Sequence, residues 1–535
     1  MSFSLSQSPG LALASCVLYF TIRLFCTWRR KPLPPGPRGL PLIGNVFDVP
    51  KAREWLAFAE MGRKYGSDII SLNLAGDTVI VLNSLAATDA LLDERSATFS
   101  DRPVFTMLND LVGFHWHTGF MRYGPRWKAH RKVFIQQFQP SEVLLHRPAE
   151  LQAARVLLGR LLDSPSKFER HFRHMAGMVI LSTVYGIDIQ PEDDPHVKIA
   201  EKALHAMAST GNRGSFLVDS LPFLQYVPDF FPGTGFQKLA REWRKIVAAM
   251  PQVPFDYVKR SRAAGTARSS IASRVLDDIE ESRDSDQEGQ EEVLRNALGA
   301  AYGGYLQFCV TLLHDVVADP AGADTTVSAL GTFMLAMTIY PEVMRKAQAA
   351  VDAVVGSGRL PDFQDNIPYI DAVVREVLRW HPVTPLAIPH AATEDSYAYK
   401  GYYIPAGAVV VGNSWAILQD EETFGPNTDQ FIPERWLTED GKINSAMREP
   451  SAAFGFGRRI CPGRDMAQWS IWICAVSILA TFDITKALDE NGVPIEPSGH
   501  YSSGLLCYPV PHECDIFPRS EAARALIRDA QVNAC

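Results

Sequence analysis

The sequence is poor in cysteine, and its cysteines are scattered. Eight occur in 535 residues, and none forms a close C-x-x-C pair. This spacing suggests neither a disulfide scaffold nor a structural zinc site, so a reducing compartment is the simpler inference. The eight are Cys16, Cys26, Cys309, Cys461, Cys474, Cys507, Cys514 and Cys535.

The chain also lacks an excess of basic residues. It has 52 Lys and Arg against 60 Asp and Glu, a net charge of −8. No nucleic-acid partner is expected, because binding a phosphate backbone requires basic side chains that neutralise it. With 47% hydrophobic and 21% charged residues the chain is globular rather than disordered, and its length suits one large or two ordinary domains.

An apolar run of membrane-spanning length lies near the N-terminus. Residues 11–28 are mostly apolar, and residues 29–31 are all basic. A cleaved signal peptide carries its basic residues before the apolar run, so we expect an uncleaved single-pass anchor with the remaining chain on the cytoplasmic side. A helix lying in the membrane interface is the alternative. The prolines within 34–37 predict a stiff hinge, which divides an anchor with its basic flank, 1–31, from one main domain, 32–535.

The stretch SAAFGFGRRICPGRDM, residues 451–466, presents a cysteine in a glycine-rich loop. Its glycines at 455, 457 and 463 allow positive φ and a close approach of the backbone to a flat ligand. The apolar run after it, 466–482, predicts a buried helix whose N-terminus favours a thiolate at Cys461. A cysteine taken alone is usually a small buried hydrophobic residue, so the spacing around it has to decide.

That spacing resembles the haem-binding signature of the cytochrome P-450 family. The pattern F-x-x-G-x-R-x-C-x-G is matched at every fixed position by Phe454, Gly457, Arg459, Cys461 and Gly463. The resemblance implies haem b, iron protoporphyrin IX, as the cofactor and the Cys461 thiolate as the axial ligand of its iron. It also implies that Phe454 packs near the haem, that Gly457 belongs to the cofactor-binding loop, and that Arg459 pairs with a haem propionate.

A second group of residues predicts a further propionate contact. Trp127 and Arg131 stand at i and i+4 of a predicted helix, so an indole N–H and a guanidinium can converge on one anion. Alone this pair would usually belong to a solvated helix face, but beside the cysteine loop it is interpreted as a propionate clamp. The resemblance adds His390 as a propionate donor, although most single histidines are ordinary surface or core residues.

The run Ala-Gly-Ala-Asp-Thr-Thr, residues 321–326, resembles the oxygen-activating helix of the same family. Gly322 allows a flat group to lie against the helix. Asp324 and Thr325 place a carboxylate and a hydroxyl side by side, and the resemblance assigns them the delivery of protons to iron-bound dioxygen. A cluster of such residues otherwise means only a helix cap.

The sequence departs from the family just before this motif. Residues 304–321, which include Pro320, separate two parts of what would be one continuous helix, and removing them leaves NALGAAYGGADTTVSAL. Proline would break a helix that continued through the segment. We interpret 304–321 as a retained intron, with a loop extruded from the helix as the alternative.

Glu376 and Arg379 lie at i and i+3 of a predicted apolar helix, and Arg435 follows in Phe-Ile-Pro-Glu-Arg-Trp. A carboxylate and a guanidinium on one face can form a bidentate pair. By themselves they would be an ordinary surface ion pair. Their order and distance from the cysteine loop resemble the family pattern, which implies a buried three-residue network with a structural role.

The substrate pocket is predicted from apolar residues in three regions. The stretch 101–120 is rich in large apolar side chains and would cover a pocket, although a plain core segment is equally compatible with the pattern. The resemblance places 385–390 on an extended segment past the active site and 502–506 on a terminal turn entering it. The predicted pocket residues are Phe105, Leu386, Ala387, Ile388 and Leu505.

The resemblance implies the cytochrome P-450 fold, mainly α with a minor β region, to which 69–74 and 78–82 contribute a hairpin. The implied activity is a haem-thiolate monooxygenase that inserts one oxygen atom into a lipophilic small molecule. The overall pattern looks most like fungal members serving secondary metabolism, and a terpenoid-like substrate is the guess. The alternatives are a haem-thiolate isomerase or dehydratase, and a product inactivated by the 304–321 segment.

No flavin or nicotinamide domain is recognisable, so electrons must come from a separate protein. The resemblance implies an NADPH-cytochrome reductase, with cytochrome b5 as a further candidate. Together with the apolar N-terminus it implies contact with membrane lipid and a place in the endoplasmic reticulum membrane, single-pass, with the catalytic domain cytoplasmic.

Overall fold

The structure is a computed structural model of the chain. It describes residues 31–41, 43–50, 52–211, 216–228, 230–282, 285–305 and 325–534. The predicted anchor at 11–28, Gly322, Asp324 and nearly all of the predicted insertion lie outside the described residues. Within the described ranges, no single helix is long and apolar enough to cross a membrane.

Helices dominate the described fold and the sheets are small, which confirms the mainly α architecture. The helices of eight or more residues are α1 (Glu54–Tyr65), α2 (Pro125–Phe138), α3 (Arg147–Asp163), α4 (Phe168–Tyr185), α5 (Pro195–Thr210), α6 (Gly235–Ala263), α7 (Ile271–Ser282), α8 (Gln287–Tyr305), α9 (Thr325–Ile339), α10 (Pro341–Val355), α11 (Pro368–Trp380), α12 (Arg464–Thr481) and α13 (Glu521–Ala534). Shorter α-helices are Leu85–Thr88, Ser96–Phe99, Pro140–Val143, Leu217–Ser220, Ser414–Leu418 and Glu421–Phe424.

The largest described sheet has four strands in the order β1-β2-β6-β3. The predicted hairpin is present, and its second strand begins at Asp77, one residue earlier than expected. β6 pairs with β2 in parallel and with β3 in antiparallel orientation. The strands are β1 (Ile69–Leu74), β2 (Asp77–Leu82), β3 (His390–Ala391), β4 (Ser396–Tyr399), β5 (Tyr402–Ile404), β6 (Val409–Gly412), β7 (Phe482–Lys486) and β8 (Cys514–Pro518), with β4 pairing β5 and β7 pairing β8.

α12 is the central helix of the core, and it begins just after Cys461. Its sequence is apolar nearly all round, and a helix of that kind is stable only when it is covered by other helices. It packs against α3, α9, α10 and α11. The buried helix predicted over 466–482 is therefore present over Arg464–Thr481, and the surrounding helices hold its N-terminal end in place.

α8 and α9 are the two halves of the predicted oxygen-activating helix. α8 is described as far as Tyr305 and α9 from Thr325, and the residues between them, where the sequence departs from the family, lie outside the described ranges. Gly304, the first residue of the predicted insertion, lies within α8. Because residues 304 and 322 are both glycine, removal of 304–321 and removal of 305–322 leave the same sequence. The structure thus keeps Gly304 as part of the helix.

Candidate functional site

The loop before α12 holds Cys461 through backbone geometry that requires glycine. Gly455 and Gly457 have φ values of +86° and +55°. A Cβ on Gly457 would lie 1.9 Å from the carbonyl oxygen of Leu92, so no other residue fits there. Gly463 differs from the expectation of positive φ, because its φ is −93° and it is the N-cap of α12. The Cys461 N–H donates to the Phe454 carbonyl (2.9 Å), which closes the loop.

Cys461 lines a cavity of about 240 Å³ in the interior. Burial raises the pKa of its thiol, while the Gly463 N–H and the positive charge of Arg131 oppose that rise. Coordination to a metal cation would reverse the effect of burial, since a metal-bound thiol loses its proton.

The cavity brings together most of the predicted cofactor, catalytic and substrate residues. Those that line it are Trp127, Arg131, Thr325, Ala387, Ile388, His390, Phe454, Arg459 and Cys461. Among the residues the structure describes, Phe105, Gly457, Leu386 and Leu505 do not line it. Phe105 and Leu386 pack in hydrophobic clusters, and Leu505 lies against Gly211, where an added Cβ would be 3.8 Å from its Cδ2 atom. Their contact with substrate stays a prediction.

Arg459 lies against the face of Trp127 and donates to three backbone carbonyls. Its guanidinium carbon is 4.3 Å from the centroid of the indole ring. Nε donates to the Ser100 carbonyl (2.7 Å), Nη1 to Thr118 (3.1 Å) and Nη2 to Met121 (2.8 Å). Burial lowers the pKa of Arg459 to about 10. The charge is thus fixed in position, but none of these three hydrogen bonds is to an acid.

Arg102 is a second buried guanidinium in the cavity wall, and the sequence analysis did not find it. It is 4% exposed. Nε donates to the Gly119 carbonyl (2.9 Å), and Nη1 donates to Ile388 (2.6 Å) and Pro389 (2.8 Å). Burial and the nearby charge of Arg459 lower its pKa. Its neighbours are far away in the sequence, so only its position beside a proline in a loop could have drawn attention to it.

The cavity therefore has a cationic wall without an acidic partner. Arg102, Arg131 and Arg459 line it, and none of the described lining residues is acidic. The buried carboxylate of Asp101 is nearby, but it accepts from Arg122 Nε (2.9 Å) and from the Tyr123 N–H (2.8 Å). Buried charges are stable when they are paired, so this wall requires an anionic ligand.

A flat dicarboxylate with a bound metal fits the same cavity. The arginines match two carboxylates, and the Cys461 thiol is a metal ligand. Three lining glycines leave space among the described residues: a Cβ on Gly304, Gly455 or Gly463 would meet none of their atoms within 4 Å beyond its own chain neighbours and helix turn. A planar ring can lie close to the backbone at these positions. The residues present fit haem.

His390 is buried in the cavity wall and has a defined tautomer. Its Nδ1 lies 2.7 Å from the Phe99 carbonyl oxygen. A carbonyl only accepts, so Nδ1 carries the proton, and Nε2 is an acceptor in the neutral ring. Burial and the charge of Arg102 lower its pKa well below the usual value. The predicted donation to a propionate needs the doubly protonated ring, which an adjacent carboxylate favours.

α8 and α9 both present residues to the Cys461 cavity. Ala300, Ala301 and Gly304 of α8 line the cavity together with Thr325 and Ala329 of α9. Thr325 Oγ1 donates to the Gly304 carbonyl (3.1 Å), although the two residues are 21 positions apart. A helical threonine commonly bonds the carbonyl one turn before it, so Gly304 takes that place in space. The structure thus brings the two halves together at the cavity.

Glu376, Arg379 and Arg435 lie together in a buried network. Both guanidinium nitrogens Nε and Nη2 of Arg379 donate to the Glu376 carboxylate at 2.8 Å, and Arg435 Nε donates to it at 3.0 Å. The Ile432 N–H and the Trp436 indole N–H also donate to Glu376, each at 2.9 Å. All four lone-pair directions of the carboxylate are in use, so α11 is tied firmly to the segment 432–436.

Comparison with known proteins agrees with this site. The family model of cytochrome P-450 matches residues 34–514. Cytochrome P-450 monooxygenase 98 of Postia placenta is 42% identical over 503 residues, 93% of this chain and 92% of the relative. Cytochrome P-450 monooxygenase eriA of Hericium erinaceus is 42% identical over 510 residues, 95% and 92% of the two chains. Tryptamine 4-monooxygenase of Psilocybe cyanescens is 40% identical over 518 residues, 96% and 97% of the two chains.

These matches cover nearly the full length of fungal relatives that are named monooxygenases, so the isomerase and dehydratase alternatives are not favoured. The cysteine loop, the cationic wall and the cavity-lining residues of α8 and α9 occur together in the domain that the family model covers. The chain belongs to the cytochrome P-450 family and is a haem-iron monooxygenase that receives electrons from a redox partner and acts on a small molecule.

Proposed function

We propose that this monooxygenase inserts one oxygen atom into a C–H bond of a lipophilic, uncharged small molecule in fungal secondary metabolism. The observation that carries the proposal is the lining of the Cys461 cavity, in which apolar side chains and glycines alternate with cationic groups and no described residue is acidic. A terpenoid is the substrate class we favour, from this apolar lining and from the sequence resemblance.

An uncharged substrate is preferred over a cationic one on electrostatic grounds. The name of the tryptamine 4-monooxygenase relative specifies an amine as its substrate. None of the described lining residues is acidic, so a protonated amine in this cavity would have no protein carboxylate to pair with it. A buried charge without a partner is costly, since burial removes its hydration.

The haem would be held at three points. Cys461 would ligate the iron, Arg102, Arg131 and Arg459 with Trp127 would bind the propionates, and Phe454 would pack beside the ring. Bound haem supplies the reductive activation of dioxygen and the transfer of one oxygen atom to carbon. The buried wall of the cavity excludes bulk water, which strengthens the electrostatic contacts within it.

The hydroxyl of Thr325 is positioned to handle a proton in the cavity. Its Oγ1 donates to the Gly304 carbonyl, and a hydroxyl oxygen in this position can also accept a hydrogen bond from a group in the cavity. We assign the proton relay to Thr325 together with Asp324, which lies outside the described residues. The positions of Gly304, Thr325 and Ala329 in the lining of one cavity support this placement.

We further propose that the redox partner is an NADPH-cytochrome reductase, with cytochrome b5 as a second donor, and that the chain is anchored in the endoplasmic reticulum membrane with its catalytic domain cytoplasmic. The apolar run at 11–28, followed by three basic residues, supports the contact with membrane lipid. Lys128, Lys132 and Arg458 are exposed close to the cysteine loop and Trp127, where an acidic partner would be attracted.

The test is the carbon monoxide difference spectrum of the dithionite-reduced protein. We expect the red-shifted Soret band of thiolate-ligated haem in the parent chain and its loss in Cys461→Ala. Cys474→Ala is the matched control, because Cys474 is a buried free cysteine of α12 that does not line the cavity. Absence of haem in the parent chain and in a form without residues 304–321 would refute the function.

The form without residues 304–321 also tests how the insertion affects haem binding. If the band occurs only after residues 304–321 are removed, the segment prevents haem binding and the retained-intron interpretation gains support. If both forms show the band equally, the interruption is tolerated because Gly304 and Thr325 still meet at the cavity.

A further inference from the structure

His117 has a ring nitrogen whose hydrogen-bonding capacity the site does not use. The residue is 6% exposed and belongs to the wall of the Cys461 cavity. Its imidazole packs among aromatic rings, with centroids 5.5 Å from Trp116, 5.4 Å from Phe120 and 6.3 Å from Phe114. From the sequence, the segment 101–120 was expected to contribute only apolar side chains.

The tautomer of His117 follows from its backbone contact. The Gly119 N–H donates to Nδ1 at 3.2 Å, so Nδ1 carries no proton. Burial lowers the pKa of the ring to about 4, so the ring is neutral near pH 7. Nε2 therefore carries the hydrogen, and it has no hydrogen-bond partner among the described residues. A buried donor without an acceptor is unfavourable.

The loop around His117 is held rigidly by the two arginines of the cavity wall. Arg459 donates to the Thr118 carbonyl and Arg102 donates to the Gly119 carbonyl. The His117 N–H donates to the Phe114 carbonyl (2.9 Å), and its own carbonyl accepts from the Phe120 N–H (3.0 Å). The backbone that carries the imidazole is therefore fixed, and turning the ring out to water would break its own hydrogen bond with the Gly119 N–H.

The Nε2 atom is directed at the last turn of α8. A Cβ on Gly303 would lie 3.7 Å from it. The same helix presents Ala300, Ala301 and Gly304 to the cavity. On α9, Thr326 lines the cavity as well, and its Oγ1 is buried without a partner among the described residues. Two buried polar atoms without a described partner, His117 Nε2 and Thr326 Oγ1, thus belong to residues that line this cavity.

We propose that His117 is a specificity-determining residue whose Nε2–H donates a hydrogen bond to an oxygen atom of the substrate. The substrate class is then an apolar molecule that already carries a hydroxyl or carbonyl oxygen away from the carbon to be oxidised. A donor of this kind discriminates against the matching hydrocarbon, which leaves it unpaired. It also discriminates against an ammonium group, which has no lone pair to offer.

With this specificity the enzyme would act on the product of an earlier reaction. The reaction that supplies its substrate must leave a hydroxyl or carbonyl oxygen on an otherwise apolar skeleton. This inference rests on the proposed function, because it assumes that the cavity beside the haem receives the substrate.

The test compares two probes that differ by one oxygen, decalin and 2-decalone. Each is titrated into the ferric holoenzyme, and the shift of the Soret band gives its dissociation constant. We expect the parent to bind 2-decalone about 10-fold more tightly than decalin, as one hydrogen bond of average strength requires. In His117→Phe the preference is expected to disappear, whereas His117→Gln, which retains an N–H donor, is expected to recover part of it.

His115→Phe is the matched control, since His115 is an exposed histidine of the same loop. This variant is expected to prefer 2-decalone over decalin as strongly as the parent does. Equal affinity of the parent for both probes, or no binding of 2-decalone by the parent, overturns the proposal. An unchanged preference in haem-loaded His117→Phe also overturns it. Loss of haem from both His117 variants overturns it as well and assigns the donor to the haem. Absence of haem in the parent instead refutes the proposed function itself.

Discussion

Two clusters of buried arginines differ in what neutralises them. Arg379 and Arg435 surround the Glu376 carboxylate, and with two further N–H donors they complete its hydrogen bonds within the protein. Arg102 and Arg459 are also buried, yet their hydrogen-bond partners among the described residues are backbone carbonyls. The first cluster is complete without a ligand. The second has its hydrogen bonds satisfied by carbonyls, while the nearby Asp101 carboxylate, which is bonded to Arg122, offsets only part of its positive charge.

This difference separates a structural network from a binding site. Carbonyl oxygens fix the orientation of a guanidinium but leave its full positive charge to be matched. A carboxylate supplied by a ligand completes the second cluster, as Glu376 completes the first. A buried arginine is therefore informative about function only when its partners are known.

The largest effect is expected from Glu376→Gln. It removes the charge that pairs with two buried guanidiniums, and breaking a buried pair costs about 3–5 kcal/mol. The free energy of unfolding, measured by urea titration of the holoenzyme, should fall by that amount. The control is Glu449→Gln, which breaks a pair with Arg375 of the same helix at a site where the Glu449 side chain is 56% exposed. A loss below about 1 kcal/mol is expected there, and equal losses in the two variants would contradict the distinction.

Glu150 on α3 is a buried acid whose carboxylate has one described hydrogen-bond donor, the hydroxyl of Ser470. It is fully buried, Oε1 accepts from Ser470 Oγ (2.7 Å), and Oε2 has no partner among the described residues. Burial raises the pKa of its carboxyl to about 8. The folded state therefore holds the proton more tightly than the unfolded chain, and the resulting stability is lost as pH rises toward 8.

Glu150→Gln should remove this pH dependence. We expect the unfolding free energy of the parent to fall by about 1 kcal/mol per pH unit between about pH 5 and pH 8 relative to the variant. Urea titrations at several pH values measure the slope. The exposed Glu60→Gln on α1 is the control and should keep the slope of the parent. Identical slopes for the parent and Glu150→Gln would show that the carboxyl titrates normally.

The smallest of the three effects concerns retention of the cofactor and is expected from Arg459→Met, compared among folded molecules because the change also removes three hydrogen bonds to backbone carbonyls. Loss of one charge-assisted contact to a carboxylate is worth about 1.5–3 kcal/mol, so haem should dissociate about 10- to 100-fold more readily. Transfer of haem to an excess of an apo-globin measures this. Arg458→Met, in the exposed neighbouring position, is the matched control and should retain haem like the parent. Equal retention by both variants would remove Arg459 from the proposed carboxylate site.

Much of the site could be predicted because its signals are local. The cysteine loop, the pair Glu376 and Arg379, and the Trp127 and Arg131 pair each lie within a few residues of one element, where spacing sets geometry. Local sequence patterns also predicted the hairpin of β1 and β2 and the buried helix α12. The substrate residues were less certain, since apolar side chains serve equally well in a core or in a pocket.

The residues that were missed depend on contacts between distant segments. Arg102 meets carbonyls 286 and 287 positions away, and no periodicity marks it. His117 is one of thirteen histidines, and its unpaired Nε2 shows only when the surrounding rings are in place. Gly304 looked like part of an insertion, because the sequence cannot distinguish it from Gly322.

The amino-acid sequence by itself determined the family, the thiolate loop and the mainly helical class, because spacing within a loop or helix turn is set by covalent geometry. Only the tertiary structure decided which charges converge and which remain uncompensated. Pairing of buried groups depends on segments that meet after the chain has folded, such as Gly304 with Thr325 and Arg459 with Ser100, 359 positions earlier. Contacts of this long-range kind, and no local pattern, place Arg102 and His117 in the cavity wall.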